Sequence, residues 1–239
     1  MKILALESSA GAASAALCED ETLLAQVFLH SGLTHSQTLL PMVEQMLASY
    51  GCRVSELDLI AVAAGPGSFT GLRIGVSTAK GLAWAAGLPC AGCSTLASMA
   101  WNLSGWEGEI CAAMDARRQQ VYNARFRVRE QRLERLTPDR AIALEDLTAE
   151  LREHKTPQLV VGDGAQLCYT ALAEAGLPAR LAPENLRLQS AWGVAREALE
   201  LVRAGKTVTA NELKPVYHRL SQAERERLAR ETKGEGTHG

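Results

Sequence analysis

Gly65-Pro66-Gly67-Ser68-Phe69-Thr70-Gly71-Leu72-Arg73-Ile74-Gly75-Val76-Ser77-Thr78-Ala79-Lys80-Gly81 decides how this chain is read. It follows an apolar run, Leu59-Ile60-Ala61-Val62-Ala63-Ala64, with the composition of a buried strand, and it leads into Leu82-Ala83-Trp84-Ala85. A strand therefore feeds a glycine loop, and the loop feeds a helix. Glycine permits positive φ and close approach of another backbone or a ligand. The free amides of a helix start attract anions, so nucleotide binding is the first expectation. The spacing opposes it. The third glycine falls one residue late for a dinucleotide G-x-G-x-x-G, and a proline removes a donor. Gly71 is followed by Leu72-Arg73, where a Walker loop needs Lys and then Ser or Thr.

Upstream, Ile3-Leu4-Ala5-Leu6 reads as a short strand closed by Glu7-Ser8-Ser9, and residues 12–18 and 22–28 continue as strands around Glu19-Asp20-Glu21. An antiparallel meander is expected. Leu39, Leu40, Val43, Met46 and Leu47 recur at helical spacing up to Gly51, and Pro41 requires either a helix start near it or a kink. Downstream, a strand at 88–91 and a helix opened by Ser94 complete the order βββαβαβα. After Gly105-Trp106-Glu107-Gly108 the pattern restarts, with strands at 110–115, 121–128 and 132–136, a helix at 145–153, a strand at 159–161 and a helix at 168–175. A last helix starts at Ser190 and ends near Gly205, with Val194, Ala198, Leu201 and Val202 on one face. The first strands of the two halves end alike, Leu6-Glu7-Ser8-Ser9 beside Met114-Asp115-Ala116-Arg117. The expected fold is α/β with duplicated βββαβα subdomains at 1–104 and 105–220, followed by a charged, then Gly-rich tail at 221–239 that is expected to be disordered.

The 239 residues suffice for one large or two small domains with a core, and 47% hydrophobic with 22% charged residues describes an ordinary globular chain. A formal charge of −2 excludes a strongly basic nucleic-acid binder. Residues 1–101 carry four Lys/Arg against seven Asp/Glu, so basic character is confined to the second half. Six cysteines form no disulfide framework, and neither a signal peptide nor an apolar run of membrane length is visible. A cytoplasmic protein with reduced thiols and no membrane contact is expected. Cys90-Ala91-Gly92-Cys93 lacks the second pair that zinc would need, so no metal site is assigned.

Two βββαβα halves, each with an acidic residue after its first strand, resemble the actin, sugar-kinase and Hsp70 (ASKHA) superfamily. Within it the chain is similar to the TsaB family, also called YeaZ. The similarity is carried by Ile3-Leu4-Ala5-Leu6-Glu7-Ser8-Ser9, by His35-Ser36-Gln37 before Leu39-Leu40-Pro41 and by the glycine segment at 65–81. Met114-Asp115-Ala116-Arg117-Arg118 and Pro215-Val216-Tyr217-His218-Arg219 continue it. The family usually has Asp at the position of Glu7 and an apolar residue at that of His218. The resemblance implies a non-catalytic subunit in making threonylcarbamoyladenosine on tRNA, paired with its paralogue TsaD. It further implies an accessory ATPase, TsaE, in the assembled complex, and tRNA met through that complex. No cofactor is implied for this chain itself, with ATP and Mg²⁺ entering only in the assembly, and a homodimer is expected when TsaD is absent. TsaD follows its glycine segment with a metal-binding H-x-x-x-H. Counted from Gly87-Leu88-Pro89, those positions hold Thr95 and Met99, which cannot replace imidazole ligands. No catalytic residue is therefore assigned. A nucleotide-dependent kinase or ATPase and a glycoprotease-like peptidase stand as alternatives.

The expected pairing face comprises Leu39, Leu40 and Val43 of one helix with Leu72, Gly75, Val76, Ala79 and Leu82 of the next. Small residues there allow close helix approach, and bulk at Gly75 or Ala79 is expected to block pairing while sparing the fold. The competing reading is that these glycines seat the helix on its own sheet. By the superfamily pattern, a nucleotide would meet Glu7, Ser8, Ser9, Asp115, Gly162 and Gly164. The first hairpin, Ser8-Ser9-Ala10-Gly11, is permissive, whereas Ala116-Arg117-Arg118 in the second is bulky. Glu7 and Asp115 either face one another over Mg²⁺ or are satisfied by neighbouring amides and arginines. His30 and His35 read as loop or helix-cap residues. Arg117 to Arg140 contains eight arginines, and strand alternation sets Tyr122, Ala124, Phe126 and Val128 on one face against Val121, Asn123, Arg125, Arg127 and Arg129 on the other. That second face is expected to be exposed, either guarding an edge strand or meeting tRNA phosphates.

Overall fold

The computed structural model describes residues 1–218. β1 (Lys2–Glu7), β2 (Ala13–Glu19) and β3 (Thr22–Leu29) form the antiparallel meander. The chain continues through α1 (His35–Tyr50), β4 (Leu59–Gly65), α2 (Phe69–Ala86), β5 (Cys90–Ser94) and α3 (Thr95–Trp101). β4 pairs in parallel with β1 and with β5, giving a sheet of order β3-β2-β1-β4-β5. Every residue of β4 is buried, which is why its sequence is a continuous apolar run rather than an alternation. α1 runs through Pro41, nearly two turns into the helix, and its exposed position limits the loss to the single backbone bond its missing N–H would have made.

The second half repeats this path with β6 (Gly108–Asp115), β7 (Gln120–Arg129), β8 (Arg132–Arg135), β9 (Arg140–Ala143), α4 (Leu144–His154), β10 (Gln158–Val161), α5 (Ala165–Glu174), β11 (Ala179–Leu181), the single turn α6 (Glu184–Arg187) and α7 (Ala191–Arg203). Its sheet runs β11-β10-β6-β7-β8, the same order of long central strand, meander and parallel crossovers as the first. The short strands β9 and β11 carry too few residues for alternation to register in the sequence. The strand expected at 88–91 begins instead at Cys90, because Pro89 has no N–H and the Leu88 amide is still donated to the Ala83 carbonyl at the end of α2.

Alternation along β1 and β6 divides four apolar clusters among five layers. Leu4 and Leu6 pack with Val43, Met46 and Leu47 of α1 and with Val76, Ala79 and Ala83 of α2. On the other face, Ile3 and Ala5 meet Ala191, Val194, Ala195 and Ala198 of α7. In the second sheet, Ile110, Ala112 and Met114 meet Leu96, Met99 and Ala100 of α3, while Cys111 and Ala113 meet Leu147 and Leu151 of α4 with Cys168 and Leu172 of α5. α3 thus belongs to the first half in sequence and packs on the second sheet, and α7 does the reverse. The two helices touch in the middle layer, where a Cβ on Gly193 would lie 1.9 Å from the carbonyl oxygen of Ser98. Core packing therefore crosses the 104/105 position in both directions. The tail at 221–239, expected to be disordered, and Arg219 of the last family motif lie outside the described residues.

Candidate functional site

The protein's own backbone fills the glycine loop. A Cβ on Gly67 would lie 2.6 Å from the Ser9 carbonyl oxygen, one on Gly71 2.1 Å from that of Ser8, and one on Gly75 2.4 Å from Ser8 Oγ. Gly65, at φ +145°, presses equally close to the carbonyl of Val216. Hydrogen bonds lock these approaches. The Ser68 amide donates to Ser9 O at 2.7 Å, Ser8 Oγ donates to Gly71 O at 2.9 Å, and the Val216 amide donates to Ala64 O at 2.7 Å. The start of α2 is clamped between the first hairpin and a C-terminal strap, and the glycines fall where that clamp needs them rather than where a nucleotide motif would.

This clamp corrects the expected pairing face. Leu39, Val43, Leu72, Gly75, Val76 and Ala79 are buried inside the protein, so bulk at Gly75 or Ala79 would strike the fold itself. Leu40 is exposed and Leu82 half-buried. The outward stripe of α2 is Phe69, Arg73, Ser77, Gly81 and Trp84. Trp84 is 76% exposed, and a Cβ on Gly81 would meet nothing within 4 Å. At the other end of the stripe the Arg73 guanidinium lies 3.8 Å above the Phe69 ring, Arg73 Nε donates to Tyr217 Oη at 3.1 Å, and the Phe69 and Tyr217 rings stack at 5.0 Å. The phase of Arg73 and Ser77 marks this stripe in the sequence, whereas the small residues lie mostly on the buried face.

In the cleft between the sheets, the two halves repeat one detail. Glu7 ends β1 and its Oε1 accepts the Ser9 amide at 2.5 Å, while Asp115 ends β6 and its Oδ1 accepts the Arg117 amide at 2.7 Å. One oxygen of each carboxylate is thus taken by the amide two residues on, and the hairpin amides at Ser9 and Arg117 are not free for phosphate. The second hairpin adds bulk by holding Arg117, Arg118 and Gln119 all at positive φ. Gly162 and Gly164 are pressed against the backbone of β6, with Cβ positions 2.1 Å from Ala113 O and 2.7 Å from Asp115 N. Between them Asp163 accepts from Gln189 Nε2 at 2.6 Å. Gln189 is a cleft residue that the sequence reading did not single out. Burial raises the Glu7 carboxyl to about 7, with the bonds from Ser9 opposing and the charge of Asp163 adding to the rise. Burial likewise raises Asp163, against the pull of Gln189. Glu7 Oε2 and Ser9 Oγ are buried without a protein partner. The residues present do not form a phosphate grip, and among the described residues no three His, Cys, Asp or Glu side chains are grouped to hold a metal ion.

The expected basic face is also corrected. Alternation along β7 holds, but α4 covers the second face, so Val121, Asn123 and Arg125 are buried, and β7 lies between β6 and β8 rather than at an edge. Arg125 reaches Glu109 at 2.9 Å and Glu150 at 3.0 Å, Arg127 reaches Glu109 at 2.8 Å, and Arg140 reaches Glu150 at 2.7 Å. Burial works to raise the Glu109 carboxyl, but hydrogen bonds from Gln158, Arg127 and Arg125 outweigh it and hold it at about 2. His35 opens α1, with its Nε2 2.6 Å from the Ala10 carbonyl, and His30 packs against Gly11. Cys90 and Cys93 enter opposite cores, as residues three apart on a strand must, and cannot act together. Thr95 and Met99 are fully buried on α3.

Two sheets of identical strand path, each ending its first strand in a carboxylate, define a member of the actin, sugar-kinase and Hsp70 superfamily, here with the phosphate hairpins occupied by the chain itself. The family model described as TsaD, tRNA N6-adenosine threonylcarbamoyltransferase, matches residues 30–224. The chain is 34% identical to the tRNA threonylcarbamoyladenosine biosynthesis protein TsaB of Escherichia coli, covering 93% of this chain and 96% of that protein. It is 33% identical to the Bacillus subtilis protein of the same name, covering 94% and 96%. The solved structure of YeaZ from Pseudomonas aeruginosa superposes with a TM-score of 0.77 at 28% identity, covering 90% of this chain and 99% of that one. The chain belongs to the TsaB (YeaZ) family. No described helix is long and apolar enough to cross a membrane.

Proposed function

We propose that this chain is a non-catalytic partner subunit in the formation of threonylcarbamoyladenosine on tRNA, docking a TsaD-type catalytic subunit on the outward face of α1 and α2. The observation that carries this reading is the stripe from Phe69 to Trp84 with the open position at Gly81, beside the exposed Leu40 of α1. A large exposed aromatic beside a position with open space above it suits a partner's side chains packing against the helix. The curated relatives are named for this biosynthesis, and by the resemblance to TsaD the positions of its metal ligands would be held here by Thr95 and Met99, both buried. In the absence of TsaD the same face supports a homodimer. An accessory ATPase of the TsaE type and tRNA join through the complex, nucleotide and Mg²⁺ enter only there, and the protein works in the cytoplasm.

Co-purification with the TsaD homologue of the same organism tests the reading. Wild-type protein pairs and supports modification, whereas Trp84→Ala and Gly81→Leu fold and do not pair. Pairing unaffected by either change would overturn it. The rival nucleotide-dependent kinase or ATPase rests on the buried, unpaired Glu7 Oε2 facing the charge of Asp163. Isothermal titration of the isolated chain with Mg-ATP separates the two, since the proposed subunit gives no heat of binding.

A further inference from the structure

Cys111 on β6 and Cys168 on α5 lie side by side in the core beneath the second sheet, with their sulfurs 3.8 Å apart and both side chains fully buried. Asn123 Nδ2 donates to Cys111 Sγ at 3.3 Å and to the Ala112 carbonyl at 3.0 Å, which fixes the amide on that sulfur. We propose that Cys111 and Cys168 form an oxidisable thiol pair that hydrogen peroxide converts into a disulfide tying α5 to β6 below the cleft. The sulfurs are already in contact, so closure to a bond of about 2.05 Å needs side-chain rotation and a small approach of helix to strand.

The polarity of the pair sets the order of events. The hydrogen bond shared with the Cys168 thiol, together with the charge of Arg125 and the Asn123 amide, favours the Cys111 thiolate against the opposing cost of burial. The Cys111 thiolate attacks one peroxide oxygen, the O–O bond breaks, and the departing hydroxide takes a proton to become water. Cys111 is then a sulfenic acid. Cys168 gives up its proton and attacks the Cys111 sulfur, the S–O bond breaks, and the leaving hydroxide takes that proton as a second water. The two thiols lose two electrons and the peroxide gains them. Peroxide is close to water in size, so local opening of the core admits it more readily than a bulky disulfide oxidant. The link has a target within the fold, because the Cys168 amide donates to Gly164 O at 3.0 Å. A disulfide at Cys168 would hold the Gly162-Asp163-Gly164 loop against the Asp115 end of β6.

The test is peroxide treatment of the reduced full-length protein at mildly alkaline pH, followed by alkylation in denaturant and peptide mapping. The expected result is a Cys111–Cys168 linked peptide, reversed by dithiothreitol, with Cys18, Cys52, Cys90 and Cys93 still alkylated. In Cys168→Ser, oxidation stops at a Cys111 sulfenic acid that dimedone traps. Hydrogen exchange of the amides at 163–168 slows in the oxidised wild type. Recovery of Cys111 and Cys168 as free thiols after peroxide, or as sulfinic acids without the linked peptide, would overturn the proposal, and the wild-type map decides the matter even if the serine variant does not fold.

Discussion

Ser8 and Gly71 hold each other twice: the Ser8 hydroxyl donates to the Gly71 carbonyl at 2.9 Å, and the Ser8 carbonyl lies 2.1 Å from where a Cβ on Gly71 would stand. The contact joins the end of β1 to the first turn of α2 across 63 residues of chain. Gly71→Ala is therefore an overpacking mutation against backbone that cannot swing away, with an expected cost of about 1–3 kcal/mol. Urea denaturation should show a lower midpoint with an unchanged slope. Wild-type stability in Gly71→Ala would remove the clamp as the reason for the glycine.

Two glycines on one helix should behave oppositely. A leucine at Gly75 drives into Ser8 Oγ and Val62 and should leave little folded protein, whereas Gly81 has open space and Gly81→Leu should gain about 0.5–1 kcal/mol of helix propensity. Circular dichroism melting reads the first effect. The same melts read the gain at Gly81, and size-exclusion chromatography with TsaD shows loss of the heterodimer in Gly81→Leu with the fold intact.

Glu7 predicts a slope of stability with pH. Its carboxyl is raised from 4.5 to about 7, so the native protein keeps a proton that the unfolded chain has released over that interval. Stability is greatest below pH 4.5 as far as this group is concerned and falls as pH rises toward 7, by about 3 kcal/mol in all. Glu7→Gln, which keeps the shape and cannot ionise, should be more stable than wild type above pH 7 and lose that slope. Parallel stability curves for the two proteins from pH 5 to about pH 8 would contradict the buried, proton-holding state.

Arg125 predicts structural rather than RNA-binding consequences. Removing it leaves Glu109 and Glu150 partly unpaired in a buried site, and Arg125→Ala should cost about 3–5 kcal/mol. The Glu109 network has its own acid limit: with the carboxyl held at about 2, its contribution is present above pH 4.5 and is lost as pH falls through 2. Arg129 is exposed, and Arg129→Glu should change stability by no more than about 0.5 kcal/mol in the same urea titration.

Much of the architecture was legible before any coordinate, because it is local. The strand-loop-helix at 59–86, the helix starts at Ser94 and Ser190 and the carboxylates ending β1 and β6 all rest on periodicity and on residues that cap or turn the chain within a few positions. The equivalence of Leu6-Glu7-Ser8-Ser9 and Met114-Asp115-Ala116-Arg117 pointed to the duplication, and the matching turns at Ser9 and Arg117 repeat it in hydrogen bonds. β9 and β11 left no such mark, since each is defined by the strand beside it rather than by its own pattern.

The sequence by itself determined the order of elements, the repeat and the family motifs, since propensity, capping and spacing act over a few residues. Only the tertiary structure decided which side of α2 is the surface, that Arg125 and Arg127 are spent on Glu109, that Cys111 meets Cys168, and that α3 and α7 exchange sheets. Each of these depends on which distant segment fills the space beside a residue. An amphipathic pattern or a charge run states only that a partner is needed, and packing alone supplies its identity.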